Sequence, residues 1–273
     1  MSRPYATAIR SPHRTSRRCS TIRTTPTGGR PARAQLLVTC LIDRLFPDTG
    51  FAVVRVLERL GIEVSCPDAQ TCCGQPAFNA GAVDDARAMA RHTIDVLSAS
   101  PDPVVIPSGS CGDMVIHQYP HLFDDDPAYA AKARALAART YEFSQFLVQV
   151  CGVIDVGAHA SGTLTYHACC HGLRGLNVRD EPPALMAGVK GAKICPLAES
   201  DVCCGFGGLF AVKMADISSA MLGRKLDSIQ ASGADTVVVT DVSCGMHMAG
   251  GLHRRGSEVR VRHLADVLAG EDS

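Results

Sequence analysis

The chain has 273 residues, 46% hydrophobic and 20% charged, with a formal net charge of zero, enough for one large or two ordinary domains around a packed core. The charge is uneven: residues 1–34 hold eight arginines and no acidic residue, leaving 19 basic against 27 acidic side chains in the remainder. A folded body of that sign offers no phosphate-attracting face, which argues against nucleic acid as a partner. The sequence has no run of eighteen apolar residues, so no transmembrane segment is expected.

Residues 1–34 are rich in Arg, Ser and Thr and lack the apolar stretch of a secretory signal. They read as a disordered or mis-annotated N-terminal extension, although an organellar transit peptide has the same composition. Thirteen cysteines without a secretory signal point to a reducing, cytoplasmic setting, where metal or redox chemistry is favoured over a disulfide framework.

Packed structure is expected from residue 35. A short apolar strand runs to Cys40, and the spacing of Val53, Val54, Leu57 and Leu60 predicts a helix over 48–60, stopped by Gly61. A second strand at 62–64 leads into a loop holding Cys72-Cys73-Gly74, followed by a helix over 81–99. A third strand at 104–106 ends in the turn that carries Cys111, and helices are predicted near 112–119, 127–139 and 142–150. The order then repeats. A strand at 163–167 turns at Ala168-Cys169-Cys170, and a helix near 181–188 and a strand at 193–195 precede Cys203-Cys204-Gly205. A long helix over 208–232 and an apolar strand at 236–240 lead to the turn at Cys244. A helix near 245–254, an alternating strand at 258–262 and a helix at 263–269 close the chain.

Strands alternating with helices predict an α/β fold of two pseudo-repeated halves, each a mostly parallel sheet covered by helices. The first half is assigned to 35–158 and the second to 159–273. Ligands of open α/β sheets bind beyond the carboxyl ends of the strands, which is where the repeated cysteines fall.

Those cysteines are Cys40, Cys72, Cys73 and Cys111 in the first half, and Cys170, Cys203, Cys204 and Cys244 in the second. The intervening residues number 31 and 37 in one set and 32 and 39 in the other. Two four-thiolate sets at nearly equal spacing suit iron–sulfur clusters, which take about four thiolates per [4Fe–4S] unit. Up to two clusters are therefore expected. Structural zinc favours Cys-x₂₋₄-Cys knuckles, and an adjacent pair is cramped on one tetrahedral ion. A non-enzymatic zinc or scaffold protein is the alternative from another class. Of the remaining cysteines, Cys66, Cys151 and Cys195 read as buried packing residues, Cys19 as incidental, and spacing alone does not separate Cys169 from Cys170. His167, His171 and His247 lie beside the second set and read equally as backbone-bonding residues, as partners of a cluster sulfur, or as catalytic groups. Arg174 is near enough in sequence to meet a substrate carboxylate.

Five stretches carry a resemblance: Gln70-Thr-Cys-Cys-Gly-Gln-Pro76, Pro107-Ser-Gly-Ser-Cys111, Tyr166-His-Ala-Cys-Cys-His171 with Leu173-Arg174-Gly175, Glu199 through Gly208, and Asp241-Val-Ser-Cys-Gly-Met-His247. In them the chain resembles the cysteine-rich CCG-domain proteins, specifically the lactate utilization protein A group, from about residue 35 to 270. The resemblance implies that Cys170 rather than Cys169 is the ligand. It also implies an oxidoreductase subunit that is not active alone. That subunit relays electrons in L-lactate oxidation to pyruvate beside an iron–sulfur LutB-like protein and a LutC-like protein. The iron–sulfur subunit of a glycolate or glycerol-3-phosphate dehydrogenase is the runner-up, although those relatives carry a ferredoxin-like Cys-x-x-Cys-x-x-Cys segment that this sequence lacks. Heterodisulfide reductase B subunits have a further cysteine three residues before the last one of each set. Here Ser108 and Asp241 stand there, which favours an ordinary cubane over heterodisulfide chemistry and leaves Asp241 as a conceivable oxygen ligand.

Overall fold

The most β-branched stretches of the sequence sit at the centres of two four-stranded sheets. The computed structural model describes residues 29–270, so Cys19 and most of the arginine-rich head lie outside the described residues. In the first sheet, β1 (Arg33–Leu36), β2 (Glu63–Ser65), β3 (Val104–Ile106) and β4 (Thr140–Glu142) lie in the order β2-β1-β3-β4. In the second, β5 (Thr163–His167), β6 (Lys193–Ile194), β7 (Thr236–Val239) and β8 (Arg260–His263) lie in the order β6-β5-β7-β8. Every pairing is parallel. The predicted fold class is what the chain adopts, down to the same strand order in both halves.

Central β3 and β7 are apolar or β-branched throughout and wholly buried, as a strand covered on both faces must be. Edge strands β2 and β6 are partly or wholly exposed. That position corrects the packing role expected of Cys66, which follows β2 and is exposed; Cys151 and Cys195 are half-buried rather than enclosed.

Three apolar clusters fill the molecule. One lies between the halves and joins Leu36, Val53, Val105 and Phe146 to Leu164, Leu185, Val238 and Leu268. The others back the outer faces, around Ile94, Val104 and Tyr119 in the first half and around Leu226, Val237 and Leu252 in the second. The halves are also tied by Arg59, which donates to the Val156, Leu268 and Ala269 carbonyls at 3.2, 3.0 and 2.6 Å.

Four local readings need correction. Strand β1 starts at Arg33, two residues early, because Ala34 is fully buried in the shared core. Cys40 is the first residue of a short helix, Cys40–Leu45, not the last of a strand. The sequence reading missed β4, which is only three residues long. The helix expected over 208–232 is two, Leu209–Lys213 and Ala215–Ser232, broken at Met214 with φ −123° and ψ 49°.

Candidate metal centre

The order β2-β1-β3 places the carboxyl ends of β1 and β3 side by side, at the point where successive connections leave in opposite directions and a crevice opens. Cys40 follows β1 and Cys111 sits in the helix after β3, Gly109–Asp113, while the loop after β2 brings Cys72-Cys73 over them. Gln70, in the same loop, fastens it to β1: its Oε1 accepts from the Val38 N–H at 2.7 Å and its Nε2 donates to the Leu36 carbonyl at 3.1 Å. Tyr119 holds the other side, its hydroxyl donating to the Cys73 carbonyl at 2.8 Å. The result brings Cys40 Sγ to 3.6 Å from Cys72 Sγ, and Cys73 Sγ to 3.2 Å from Cys111 Sγ.

The second half builds the same arrangement after β5, β6 and β7. Cys170 lies against Cys203, and Cys244 lies against both Cys169 and Cys204. Burial matches too: Cys73, Cys111, Cys204 and Cys244 are buried, and Cys40, Cys72, Cys170 and Cys203 are half-buried. The glycine after each pair, Gly74 or Gly205, has φ of +83° or +89°, the left-handed turn that glycine adopts freely. That turn aims the Gly205 N–H at Cys203 Sγ, 3.4 Å away. Before Cys40, Thr39 is held at φ +68°, a conformation that costs a β-branched residue about 1–3 kcal/mol and that the packing around it sustains.

Hydrogen bonds from Cys40 and Cys73, aided by the Gly74 N–H, push the Cys72 thiol down, and Cys170, Cys204 and Gly205 do the same for Cys203. Their sulfur neighbours and burial push Cys40, Cys73, Cys170 and Cys244 up. Each set therefore shares protons and cannot ionise fully against its own repulsion without a cation. Among the described residues no lysine or arginine lines the space that the sulfurs face. A donor set of this chemistry fits a thiophilic metal centre.

All eight predicted cysteines, joined by Cys169, line one cavity of about 230 Å³ between the halves. The walls meet there through paired contacts. Asp241 Oδ2 accepts from Ser108 Oγ at 3.0 Å and from the Ser110 N–H at 2.9 Å, and His171 Nδ1 lies 2.8 Å from Asp113 Oδ2. Asp241 is thus a cap and a cross-half tie, occupied on both oxygens and unsuited to the ligand role left open for it. His171 is likewise engaged with the opposite half. Arg174 donates to the Asp201 carbonyl at 3.0 Å and is not among the cavity-lining residues. His247 packs against Phe206 in a tilted arrangement, their ring centres 5.7 Å apart, and its Nε2 is 3.4 Å from Ser218 Oγ.

His167 differs from the other two. It is fully buried, and neither ring nitrogen has a hydrogen-bond partner of normal geometry. Burial, with Lys225 nearby, pushes its pKa down to about 3. One ring nitrogen, Cys169 Sγ and Cys244 Sγ all lie within 4.8 Å of one another.

The pattern of the cysteine-rich domain, CCG, matches residues 34–116 and again 164–249, one copy per half. The chain belongs to that family. Proteins named lactate utilization protein A are similar over most of its length. The one from Bacillus cytotoxicus is 46% identical over 236 residues, covering 86% of this chain and 98% of the relative. One from an Exiguobacterium species is 47% identical over 234 residues, covering 85% and 95%. Among solved structures, a hypothetical protein from Helicobacter pylori shares the fold with a TM-score of 0.59 at 10% identity. The match covers 91% of this chain but only 51% of that one, about half its length.

Two contributors to the site escaped the sequence reading, the Gln70 clamp and the Asp241–Ser108 tie, and the approach of His167 to Cys169 was not foreseen although both residues were singled out. Gln70 and Asp241 stood inside the quoted motifs, and Cys169 was visible as a third Cys-Cys pair that the first half lacks.

Proposed function

We propose that this chain is the iron–sulfur subunit of a complex that oxidises L-lactate, or a closely related 2-hydroxy acid, and that it relays the electrons removed. The convergence of both four-cysteine sets on one cavity carries this reading, and the printed names of the similar proteins supply the substrate class. Cys40, Cys72, Cys73 and Cys111 would hold one [4Fe–4S] cluster, and Cys170, Cys203, Cys204 and Cys244 a second. The units would be 35–158 and 159–273, following the sequence division. A bound cluster supplies reversible one-electron chemistry at a potential set by its ligands and burial. The chain's own part is to supply the two sets of thiolates, turn the Gly74 and Gly205 N–H groups towards them, and enclose the sulfurs between two sheets. At about 230 Å³ the cavity lies below the roughly 300–1,000 Å³ of typical organic-ligand pockets, which suits inorganic centres and a small acid. Substrate dehydrogenation and onward transfer then fall to LutB-like and LutC-like partners, in the cytoplasm.

The test is anaerobic reconstitution with iron and sulfide analysis and EPR on the wild type, Cys72→Ser and Cys203→Ser. Each variant is expected to lose a different reduced-state signal and about half the iron, because each removes a thiolate from a different four-thiolate set. Iron near zero in the reconstituted wild type sinks the reading. Loss of every signal from either change replaces two clusters with one shared centre.

A further inference from the structure

The two halves are not equivalent at the metal centre. With Cys40 matched to Cys170, the first half has Leu37 and Thr39 where the second has His167 and Cys169. All four are buried, so the fold accepts apolar or hydroxyl side chains there and does not require donors. We propose that the second half can hold, in place of a cluster, a single thiophilic divalent cation of the zinc class through His167, Cys169 and Cys244, a site with no counterpart in the first half.

Three observations carry the proposal. The three donors lie within 4.8 Å of one another, so a small closure brings them to the spacing of about 3.3–3.8 Å that tetrahedral zinc imposes with Zn–S near 2.3 Å and Zn–N near 2.0 Å. The His167 ring is enclosed with no hydrogen-bond partner of normal geometry at either nitrogen, the Ser200 backbone lying nearby, and a buried polar group in that state normally has an ion or water to account for it. His171 and His247, by contrast, already have side-chain partners. Convergence of three donors on one point is also a mononuclear pattern, since an iron of a regular cubane has one terminal position to offer. Cys204, beside Cys244, stands next as the fourth donor of a closed Cys₃His set. On binding, each thiol that joins the ion releases its proton to solvent and the imidazole binds as the neutral ring. Because Cys244 belongs to both ligand sets, the cation and a four-thiolate cluster exclude one another in the second half. The second half is then the one whose occupant depends on which metal arrives first.

The test needs no cluster, so it stands apart from the function proposed above. The full-length protein is purified anaerobically, stripped of metal and loaded with zinc alone. Zinc K-edge X-ray absorption is then compared for the wild type, His167→Leu and Cys169→Thr, which install the residues the first half already tolerates. The wild type is expected to show imidazole scattering beside sulfur, and His167→Leu sulfur only. Both variants should bind zinc at the second half more than about 100-fold more weakly, since loss of supporting groups alone costs about 10–100-fold. Absence of imidazole in the wild type overturns the proposal, as does an imidazole signal that survives in His167→Leu. Wild-type protein labelled with nitrogen-15 at histidine gives a variant-free measure. Zinc should shift the ring resonances of His167, and shifts confined to His171 and His247 overturn the assignment.

Discussion

Asp241 engages four donors with two oxygens. Oδ1 accepts from the Ser243 N–H at 3.1 Å and Ser243 Oγ at 2.6 Å, capping the helix Val242–Arg254, while Oδ2 takes Ser108 Oγ and the Ser110 N–H from the other half. Ser108 and Asp241 stand three residues before Cys111 and Cys244, where the sequence leaves a further ligand open. Here they bond each other, so the space for a further thiolate is filled by a hydrogen-bonded tie. Asp241→Ala removes a cap worth about 1 kcal/mol and leaves the buried Ser108 hydroxyl and Ser110 N–H short of their acceptor. The expected loss is about 2–4 kcal/mol in urea unfolding of the metal-free chain. Asp241→Asn keeps only one acceptor oxygen and sets an NH₂ group against the backbone N–H that the other accepted from, so its loss should be of similar size. A change below about 0.5 kcal/mol for the alanine variant would show that the tie is not structural.

At the scale of elements, short strands end in tight helical turns that pass into single π turns, at Met114–Gln118, Phe146–Val150 and His171–Gly175. Such turns gather around functional sites because they re-aim the residues beside them. The turn at Phe143–Gln145 is capped by Glu142, the last residue of β4, whose Oε2 accepts from the Ser144 and Gln145 N–H groups at 2.8 and 3.2 Å. Burial nevertheless pushes the Glu142 pKa up from 4.5 to about 7, and its Oε1 has no partner. The folded chain therefore keeps a proton that the unfolded chain releases, and stability falls as pH rises from about 4.5 to about 7. Glu142→Gln should remove that slope, making the variant more stable relative to wild type at neutral pH than at pH about 4.5, by as much as about 3 kcal/mol. Urea midpoints across that range check it, and a slope that persists in the variant assigns the effect elsewhere. The strand β4 itself was illegible in the sequence because Thr140-Tyr-Glu142 offers neither an apolar run nor an alternation long enough to count.

For the whole molecule, the decisive contact is backbone against backbone, where the helix Gly109–Asp113 meets the turn His171–Gly175. A Cβ on Gly109 would come within 2.7 Å of the Gly172 nitrogen and 2.9 Å of its Cα, atoms that cannot rotate away. Gly109→Ala is expected to push the halves apart there and cost about 1–3 kcal/mol, the usual range for overpacking. Because Gly109 lies beside both cysteine sets, iron content should fall in both halves. A variant that unfolds normally and takes full iron would mean that the close approach is incidental to the site.

The sequence by itself determined the fold class and singled out the eight cysteines that line the cavity. Parallel-sheet strands are buried on both faces and so read as apolar runs, and a duplicated spacing survives in the linear order without any knowledge of packing. What it did not determine was that the two sets share one cavity, that Asp241 faces Ser108 rather than a metal, and that a histidine and an extra cysteine make the second half unlike the first. Those are distances between residues far apart along the chain. They were decided only when the two sheets closed on a common core and brought the carboxyl ends of β1, β3, β5 and β7 to the same place.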